Sequence, residues 1–158
     1  MTDAIRRVRQ DDIADVTRLN LEVQALHASH DPDVFKPAAD PAGIAAFFTG
    51  LIGQANNELG ILGPRGAPLG YIWFEHQLKP ETPFMHPVSR LYIFHIAVSA
   101  VARRQGAGAR LMRWAEERAQ ALGATAITLA YMPANEDAKL FYERLGFVTE
   151  RVILRKAV

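Results

Sequence analysis

The sequence predicts a mixed α/β fold, in which helices lie on both sides of one mixed β-sheet. Apolar residues recur at helical spacing in some segments and at strand spacing in others, in the order β-α-α-β-β-β-α-β-α-β. The segment RLYIFHIAV at 90–98 is apolar on both faces, which is typical of a strand in the middle of a covered sheet. Because 158 residues is the usual length of one domain and 49% of them are hydrophobic, we expect a single domain, 1–158, that folds by itself.

The boundaries of these elements follow from capping and breaking residues. The proline-containing segment 30–37 ends the first helix, and Asp40-Pro41 begins the second. Gly123 and Gly146 favour the ends of the last two helices, and Asn135 favours the start of the last one. The predicted ranges, in order, are 5–9, 13–23, 41–53, 59–62, 69–78, 90–98, 111–122, 126–132, 136–145 and 147–155.

The charge balance disfavours a protein that binds nucleic acid or a membrane surface. The net charge is +1, with a net charge of −3 over residues 1–80 and +4 over residues 81–158. We therefore expect an anionic ligand, if there is one, to bind the second half. A nucleic-acid-binding domain remains as an alternative, and it would use the arginines Arg103, Arg104, Arg110 and Arg113.

Cysteine is absent, which excludes a disulfide scaffold, thiolate metal sites and an acyl-cysteine intermediate. The start MTDAIRRVRQ lacks the apolar stretch of a signal peptide. The richest apolar run, 91–102, is 12 residues long, against the ~20 that a membrane-spanning helix needs. We therefore expect a soluble cytoplasmic protein.

A glycine-containing segment, RRQGAGA at 103–109, joins the predicted central strand to an amphipathic helix. Glycine allows a ligand to approach the main chain, and free amides at a helix start bind anions. The Walker spacing and its lysine are missing, and the dinucleotide fingerprint fails because Leu111 and Thr128 stand where a glycine and an acid are needed. The segment therefore predicts a site for a diphosphate of another carrier.

Two motifs together resemble the GCN5-related N-acetyltransferases (GNAT). The first is the Arg/Gln-x-x-Gly-x-Gly/Ala pattern after the strand LYIFHIAV, and the second is Asn135-x-x-Ala138-x-x-Phe141-Tyr142-x-x-x-Gly146-Phe147. The resemblance covers nearly the whole chain. It implies a sheet that splits between the strands RLYIFHIAV and ITLAYM, with the pantetheine arm of acetyl-CoA between them.

The resemblance also implies the residues that bind acetyl-CoA. Asn135 would touch the arm near the sulfur, and Tyr142 would stand by the thioester. Arg104 departs from the family pattern, which usually has glycine there, although phosphate-binding amides do not depend on the side chain. The complete set of implied cofactor-binding residues is Ile96, Ala97, Val98, Arg103, Arg104, Gln105, Gly106, Ala107, Gly108, Ala109, Asn135 and Tyr142.

Acetyl transfer to an amine needs an acid for the leaving thiolate and a path for the proton of the amine. Tyr142 is the candidate acid, against the alternative that it is a packing aromatic beside Phe141. The central strand has no acid where many relatives have a glutamate. Its His95 is one candidate base, Glu75 on the preceding strand is another, and an ordered water relay is the third.

The acceptor pocket implied by the resemblance is built from the first two helices and the region between strands 3 and 4. The predicted pocket residues are Asp31, Asp33, Phe35, Glu75, His76, Phe84 and His86. His27 and His30 lie near Asp31 and Asp33, a pattern that a metal site would also have. Solvated polar residues at a helix end give the same pattern, so we predict no metal.

The sequence thus favours an acetyl-CoA-dependent N-acetyltransferase in which a small-molecule amine or a peptide N-terminus attacks directly in a ternary complex. A non-catalytic CoA-binding or regulatory module of the same fold is the alternative. The resemblance also implies a homodimer, because members of the family often pair through sheet edges or C-terminal strands, and the predicted strand at 148–154 is suited to this.

Overall fold

The computed structural model describes residues 4–158 and contains one five-stranded sheet. The strands lie in the order β1-β2-β3-β4-β5, and all pairs are antiparallel except the parallel pair of β4 and β5. The predicted mixed sheet with flanking helices is confirmed. Its elements are β1 (Ile5–Arg7), α1 (Ile13–His30), α2 (Pro41–Leu51), β2 (Asn57–Leu62), β3 (Gly70–Lys79), β4 (Val88–Val98), α3 (Ala107–Leu122), β5 (Ala126–Leu129) and α4 (Glu136–Arg144).

Three helix ends show the predicted capping residues. The Asp40 carboxylate caps α2 by accepting hydrogen bonds from the amides of Ala42 and Gly43, both at 3.0 Å. Gly123 ends α3 in the left-handed conformation, with φ +69°. Asn135 caps α4 through a 3.1 Å bond from the Ala138 amide to its side-chain oxygen.

The two faces of the sheet bury separate apolar cores. Helices α1 and α2 cover one face, where Phe48 and Trp73 are buried. Helix α3 covers the other face, where Leu111 is buried and Trp114 packs on Phe74 with ring centroids 5.5 Å apart. Each face therefore carries one of the two tryptophans of the chain.

A β-bulge in β4 decides which side chains face α1 and α2. Trp73 of β3 pairs with His95, but the next residue, Phe74, pairs with Ile93, so Phe94 is an extra residue in β4. Without the bulge, His95 would share the face of Ile93, which packs against α3. The extra residue turns His95 toward the α1 and α2 face, where its ring lies 5.0 Å from that of Trp73.

The predicted final strand at 147–155 is wrong. Residues 148–158 form neither helix nor strand, and the outer edge of β5 pairs with no strand of the described chain. Apolar side chains of this segment are left in solvent, because no neighbouring strand covers them. The exposed fractions are 87% for Val148, 73% for Val152, 86% for Ile153 and 89% for Leu154.

Candidate active site

The sheet opens between β4 and β5. The two strands pair from Arg90 to Ile93 on β4, and beyond this point β4 continues to Val98 without a partner on that edge among the described residues. The Ser99 amide donates to Leu69 beside β3, so the main-chain groups of Val98 and Ile96 point to the opposite, open edge. The opening provides a main-chain edge that an extended ligand can pair with.

Ala97 differs from its two neighbours in this respect. It is buried and pairs with Tyr71 of β3. By the alternation of a strand, its main-chain groups point toward β3 and away from the opening. Of the three predicted β4 residues, Ile96 and Val98 therefore offer main-chain hydrogen bonds to a ligand.

The 103–109 segment ends at the start of α3, close to this opening. The Arg110 amide donates to the carbonyl of Gly106 at 3.1 Å, so the amides of Ala107, Gly108 and Ala109 come before the first bond of the helix. A side chain added at Gly106, whose φ is +81°, would meet open space. The main chain there is accessible to an anion, which the helix dipole favours.

Two side chains of this segment, those of Arg103 and Gln105, turn back onto the protein. Gln105 donates to the Val101 carbonyl at 2.7 Å, and Arg103 lies 3.4 Å from the Val98 carbonyl and 4.0 Å from Glu22. Arg104 has φ +61°, a left-handed conformation that favours glycine. The main-chain amides at the start of α3 remain available to an anion, and their role in binding the diphosphate stays a prediction.

Helix α4 packs against the start of α3. A Cβ built on Gly108 would lie 3.1 Å from the ring of Phe141 and 3.7 Å from Val98, so the absent side chain lets α3, α4 and the end of β4 meet. This contact joins α4, which carries Tyr142 and is capped by Asn135, to the end of β4. The two motifs are thus joined in space through Phe141.

Tyr142 is held in an aromatic environment. Its ring centroid lies 6.1 Å from Tyr131, 5.2 Å from Phe141 and 5.7 Å from Phe147. Burial raises the pKa of Tyr142 from 10 to about 12. The hydroxyl therefore keeps its proton at neutral pH and can donate it.

On the α1 and α2 face, a cavity of about 370 Å³ opens beside His95. Apolar and aromatic side chains of α2 form one wall, and polar side chains of α1 form another. The lining residues are Asn20, Gln24, Lys36, Ala39, Asp40, Gly43, Ile44, Phe47, Phe48 and His95.

A buried hydrogen-bonded network holds His95 in this cavity. The Tyr71 hydroxyl lies 3.0 Å from His95 Nδ1, and the Asn20 side-chain amide lies 2.8 Å from that hydroxyl and 3.3 Å from the same nitrogen. Burial, together with the nearby His27, lowers the pKa of His95 from 6.5 to about 4. His95 is therefore neutral at physiological pH.

Sequence reasoning missed Asn20 and Tyr71. Asn20 falls within the apolar spacing of α1, and Tyr71 reads as a core residue of β3, which it also is, with no solvent exposure. A buried asparagine and a buried tyrosine both need hydrogen-bond partners. This need indicates from sequence that each of the two side chains has a polar neighbour, but the structure is required to show that their common neighbour is His95.

The remaining predicted residues lie outside this cavity. Glu75 shares the face of Trp73 and accepts from Gln77 at 3.0 Å, whereas His76 faces the other layer and bonds Ser89 at 3.0 Å. Phe84 and His86 are exposed in the β3–β4 loop. This loop precedes Val88, seven residues and about 23 Å from His95 along β4.

Three predicted residues lie near the end of α1. Phe35 packs on His27 with ring centroids 4.9 Å apart, and Asp31 pairs with Arg155 at 3.3 Å. Asp33 is exposed in the same turn. The part of the chain that the structure describes contains no cluster of three or more histidine, aspartate or glutamate residues suited to a metal ion.

Comparison with known protein families identifies the family of this chain. The model of the acetyltransferase (GNAT) family matches residues 14–147. The chain belongs to the acetyltransferase (GNAT) family. The matched range includes the opening of the sheet, the glycine segment and Tyr142. The predicted family is therefore confirmed, and the general activity of that family is acetyl transfer.

Solved structures share this GNAT fold. A tetramutant of the BH1408 protein from Bacillus halodurans is 23% identical, with a TM-score of 0.89, and the alignment covers 98% of this chain and 99% of that chain. A transcriptional regulator from Bacillus halodurans C-125 is 24% identical, with a TM-score of 0.77 and coverages of 98% and 99%. At these identities the likeness shows the fold alone.

A third structure contains a ligand related to the predicted cofactor. It is AAC(6')-Iy in complex with the bisubstrate analogue CoA-S-monomethyl-acetylneamine, 15% identical, with a TM-score of 0.75 and coverages of 98% and 97%. Comparison with curated proteins gives no match. Among residues 4–158, no helix is long and apolar enough to cross a membrane.

Proposed function

We propose that this GNAT protein transfers the acetyl group of acetyl-CoA to a primary amine, which attacks directly in a ternary complex in the cytoplasm. The supporting observation is the position of residues 94–98 of β4, whose edge opposite β3 has no strand partner among the described residues. Its open edge adjoins the start of α3, and its residue His95 lines the cavity under α1 and α2. One strand therefore connects an anion-binding helix start with a cavity for an acceptor.

The residues present fit acetyl-CoA. The amides of Ala107, Gly108 and Ala109 would hold the diphosphate, and the main-chain groups of Ile96 and Val98 would pair with the pantetheine amides. When bound, acetyl-CoA supplies the acetyl thioester. The absence of cysteine leaves no thiol to carry the acetyl group, which favours direct attack by the amine.

The proton of the amine leaves through water in this proposal. An alkylammonium has a pKa of about 10.4, so only about one molecule in 10³ is a neutral nucleophile at pH 7. Transfer of that proton to His95, whose pKa is about 4, would be uphill by about 9 kcal/mol. A water relay to solvent avoids this cost, and the Tyr142 hydroxyl would protonate the departing thiolate.

The cofactor site is tested with two matched glycine variants. Gly106→Val places a side chain in the space predicted for the diphosphate, and Gly53→Val is the control, because Gly53 also has φ +81° and open space around it. At 100 times Kd, acetyl-CoA adds about 2.7 kcal/mol of stability, which raises Tm by several degrees. We expect that rise in the wild type and the control, and its loss in Gly106→Val.

Equal thermal shifts in the two variants would place acetyl-CoA elsewhere. Release of free thiol from acetyl-CoA in the presence of a panel of amines then separates the enzyme from the alternative, a non-catalytic CoA-binding module. The module would show the thermal shift without thiol release.

The proposal includes a homodimer, in which residues 148–154 of each copy add to the outer edge of β5 of the other. The exposed apolar side chains of this segment and the unpaired edge of β5 among the described residues support it. A shared sheet would satisfy the main chain of both and bury the apolar side chains.

A further inference from the structure

The network around His95 determines which of its ring nitrogens carries the proton. Asn20 donates its amide hydrogen to the Tyr71 oxygen at 2.8 Å. The Tyr71 hydroxyl is buried and must place its own hydrogen on an acceptor, and His95 Nδ1 lies 3.0 Å away. Nδ1 therefore accepts a hydrogen bond, and in the neutral imidazole the proton lies on Nε2.

The second amide hydrogen of Asn20 points to the same nitrogen. Asn20 Nδ2 lies 3.3 Å from His95 Nδ1. A proton on Nδ1 would face the Asn20 donor and would leave the buried Tyr71 hydrogen without an acceptor, which costs about 1–3 kcal/mol. Both donors thus favour the same tautomer.

The other edge of the ring faces the cavity. His95 is partly exposed although Nδ1 contacts the fully buried Tyr71, so the exposed part is the edge that carries Nε2. Within the described residues, Nε2 has no protein hydrogen-bond partner. A neutral Nε2–H in this position is a hydrogen-bond donor with room for a ligand.

The charged groups of the cavity do not form an anionic site for a polycation. Its acidic and basic lining residues are Asp40 and Lys36, and both carboxylate oxygens of Asp40 already accept from the amides at the start of α2. Phe47 and Phe48 provide an apolar wall. These surroundings suit a mainly apolar amine rather than a polyamine.

We propose that Asn20 and Tyr71 are positioning residues that hold His95 as an Nε2–H donor, and that this donor selects an acceptor amine that carries a neutral carbonyl oxygen, as an α-amino amide does. The proposal rests on the proposed acetyl transfer for its acceptor class. The tautomer itself stands on the geometry of the network. In this proposal His95 binds and orients the acceptor through its Nε2–H group, and no proton moves to or from Nε2.

The tautomer is measured in the wild type by nitrogen NMR with ¹⁵N-labelled histidine at pH 7. We expect a directly bound proton on Nε2 and none on Nδ1. Tyr71→Phe keeps the ring and removes one of the two donors to Nδ1, so the share of the Nδ1–H form should rise in that variant, while Asn20 still donates to Nδ1 in the remainder. A wild-type protein with the proton on Nδ1 would overturn the proposal without any variant.

The acceptor class is measured with L-leucinamide and isopentylamine, which share the side chain and differ by the carboxamide. Titration with leucinamide should shift the Nε2–H resonance, and isopentylamine should not. The ratio of kcat/KM for the two amines should fall about tenfold in His95→Phe relative to the wild type. Comparing the ratio between the two proteins removes the effect of the different amine pKa values.

The outcomes separate this inference from the proposed function. An unchanged ratio, or equal shifts of the Nε2–H resonance with both amines, would overturn the acceptor class while acetyl transfer stands. If no amine is acetylated, the proposed function fails, and the NMR titration still tests the donor. Thermal unfolding of each variant checks that it is folded.

Discussion

Acid should destabilise this protein through His95. Burial and the nearby His27 lower the pKa of His95 from 6.5 to about 4 in the folded state, whereas the unfolded chain keeps the ordinary value. Below about pH 6.5 the unfolded state binds a proton that the folded state does not, so stability falls as the pH decreases from about 6.5 to about 4. The loss is about 3 kcal/mol over the whole window and about 2 kcal/mol between pH 8 and pH 5.

The measurement compares the wild type with His95→Gln in urea unfolding followed by circular dichroism. Glutamine keeps an oxygen that can accept from Tyr71 but does not titrate. The two proteins have every other acidic and basic residue in common, including His27, so most of the contribution of those residues cancels in the comparison. Between pH 8 and pH 5 the wild type should lose about 2 kcal/mol more than the variant. Losses that agree within about 0.5 kcal/mol would refute the argument that burial keeps His95 neutral.

Three further predictions concern the site and the chain end. Tyr142→Phe should leave folding and the Kd for acetyl-CoA unchanged and lower kcat, measured by thiol release, by roughly 10²–10³. Full kcat in a variant that still binds acetyl-CoA would show that Tyr142 is not the acid. Arg104→Gly should raise Tm by a few degrees, because glycine removes about 1–2 kcal/mol of left-handed strain, whereas Arg103→Gly, at an ordinary φ of −63°, should lower it. A chain that ends at residue 147 should be monomeric by light scattering at micromolar concentrations at which the full chain is a dimer, and a monomeric full chain would end the dimer proposal.

The sequence predicted most elements because their periods and caps are local. Asp40 at the start of α2, Gly123 at the end of α3 and Asn135 before α4 act through hydrogen bonds to residues within five positions. The bulge at Phe94 could not be predicted in this way. It depends on the register between β3 and β4, and a segment that is apolar on both faces carries no alternation that would reveal an extra residue.

The site shows the same limit. The glycine segment at 103–109 and the motif from Asn135 to Phe147 are visible in the sequence because each is contiguous or has fixed spacing. The network of Asn20, Tyr71 and His95 is not, because Asn20 and Tyr71 are 51 residues apart and Tyr71 and His95 are 24 residues apart. The predicted last strand failed for a related reason. Its alternating apolar residues fit a strand, but a strand also needs a neighbour, and the described chain places none there.

The placement of one tryptophan on each face gives the protein two optical reporters. Trp73 donates to Asn57 at 2.9 Å and contacts the ring of His95, whereas Trp114 belongs to α3 and packs on Phe74 of β3. Fluorescence of Trp114→Phe would therefore report on the cavity beside His95, and fluorescence of Trp73→Phe would report on the core between α3 and the sheet. Quenching by an amine in Trp114→Phe alone would show that the amine binds on the side of the sheet that carries Trp73. A shared midpoint of unfolding in the two variants would show that the two cores unfold as one unit.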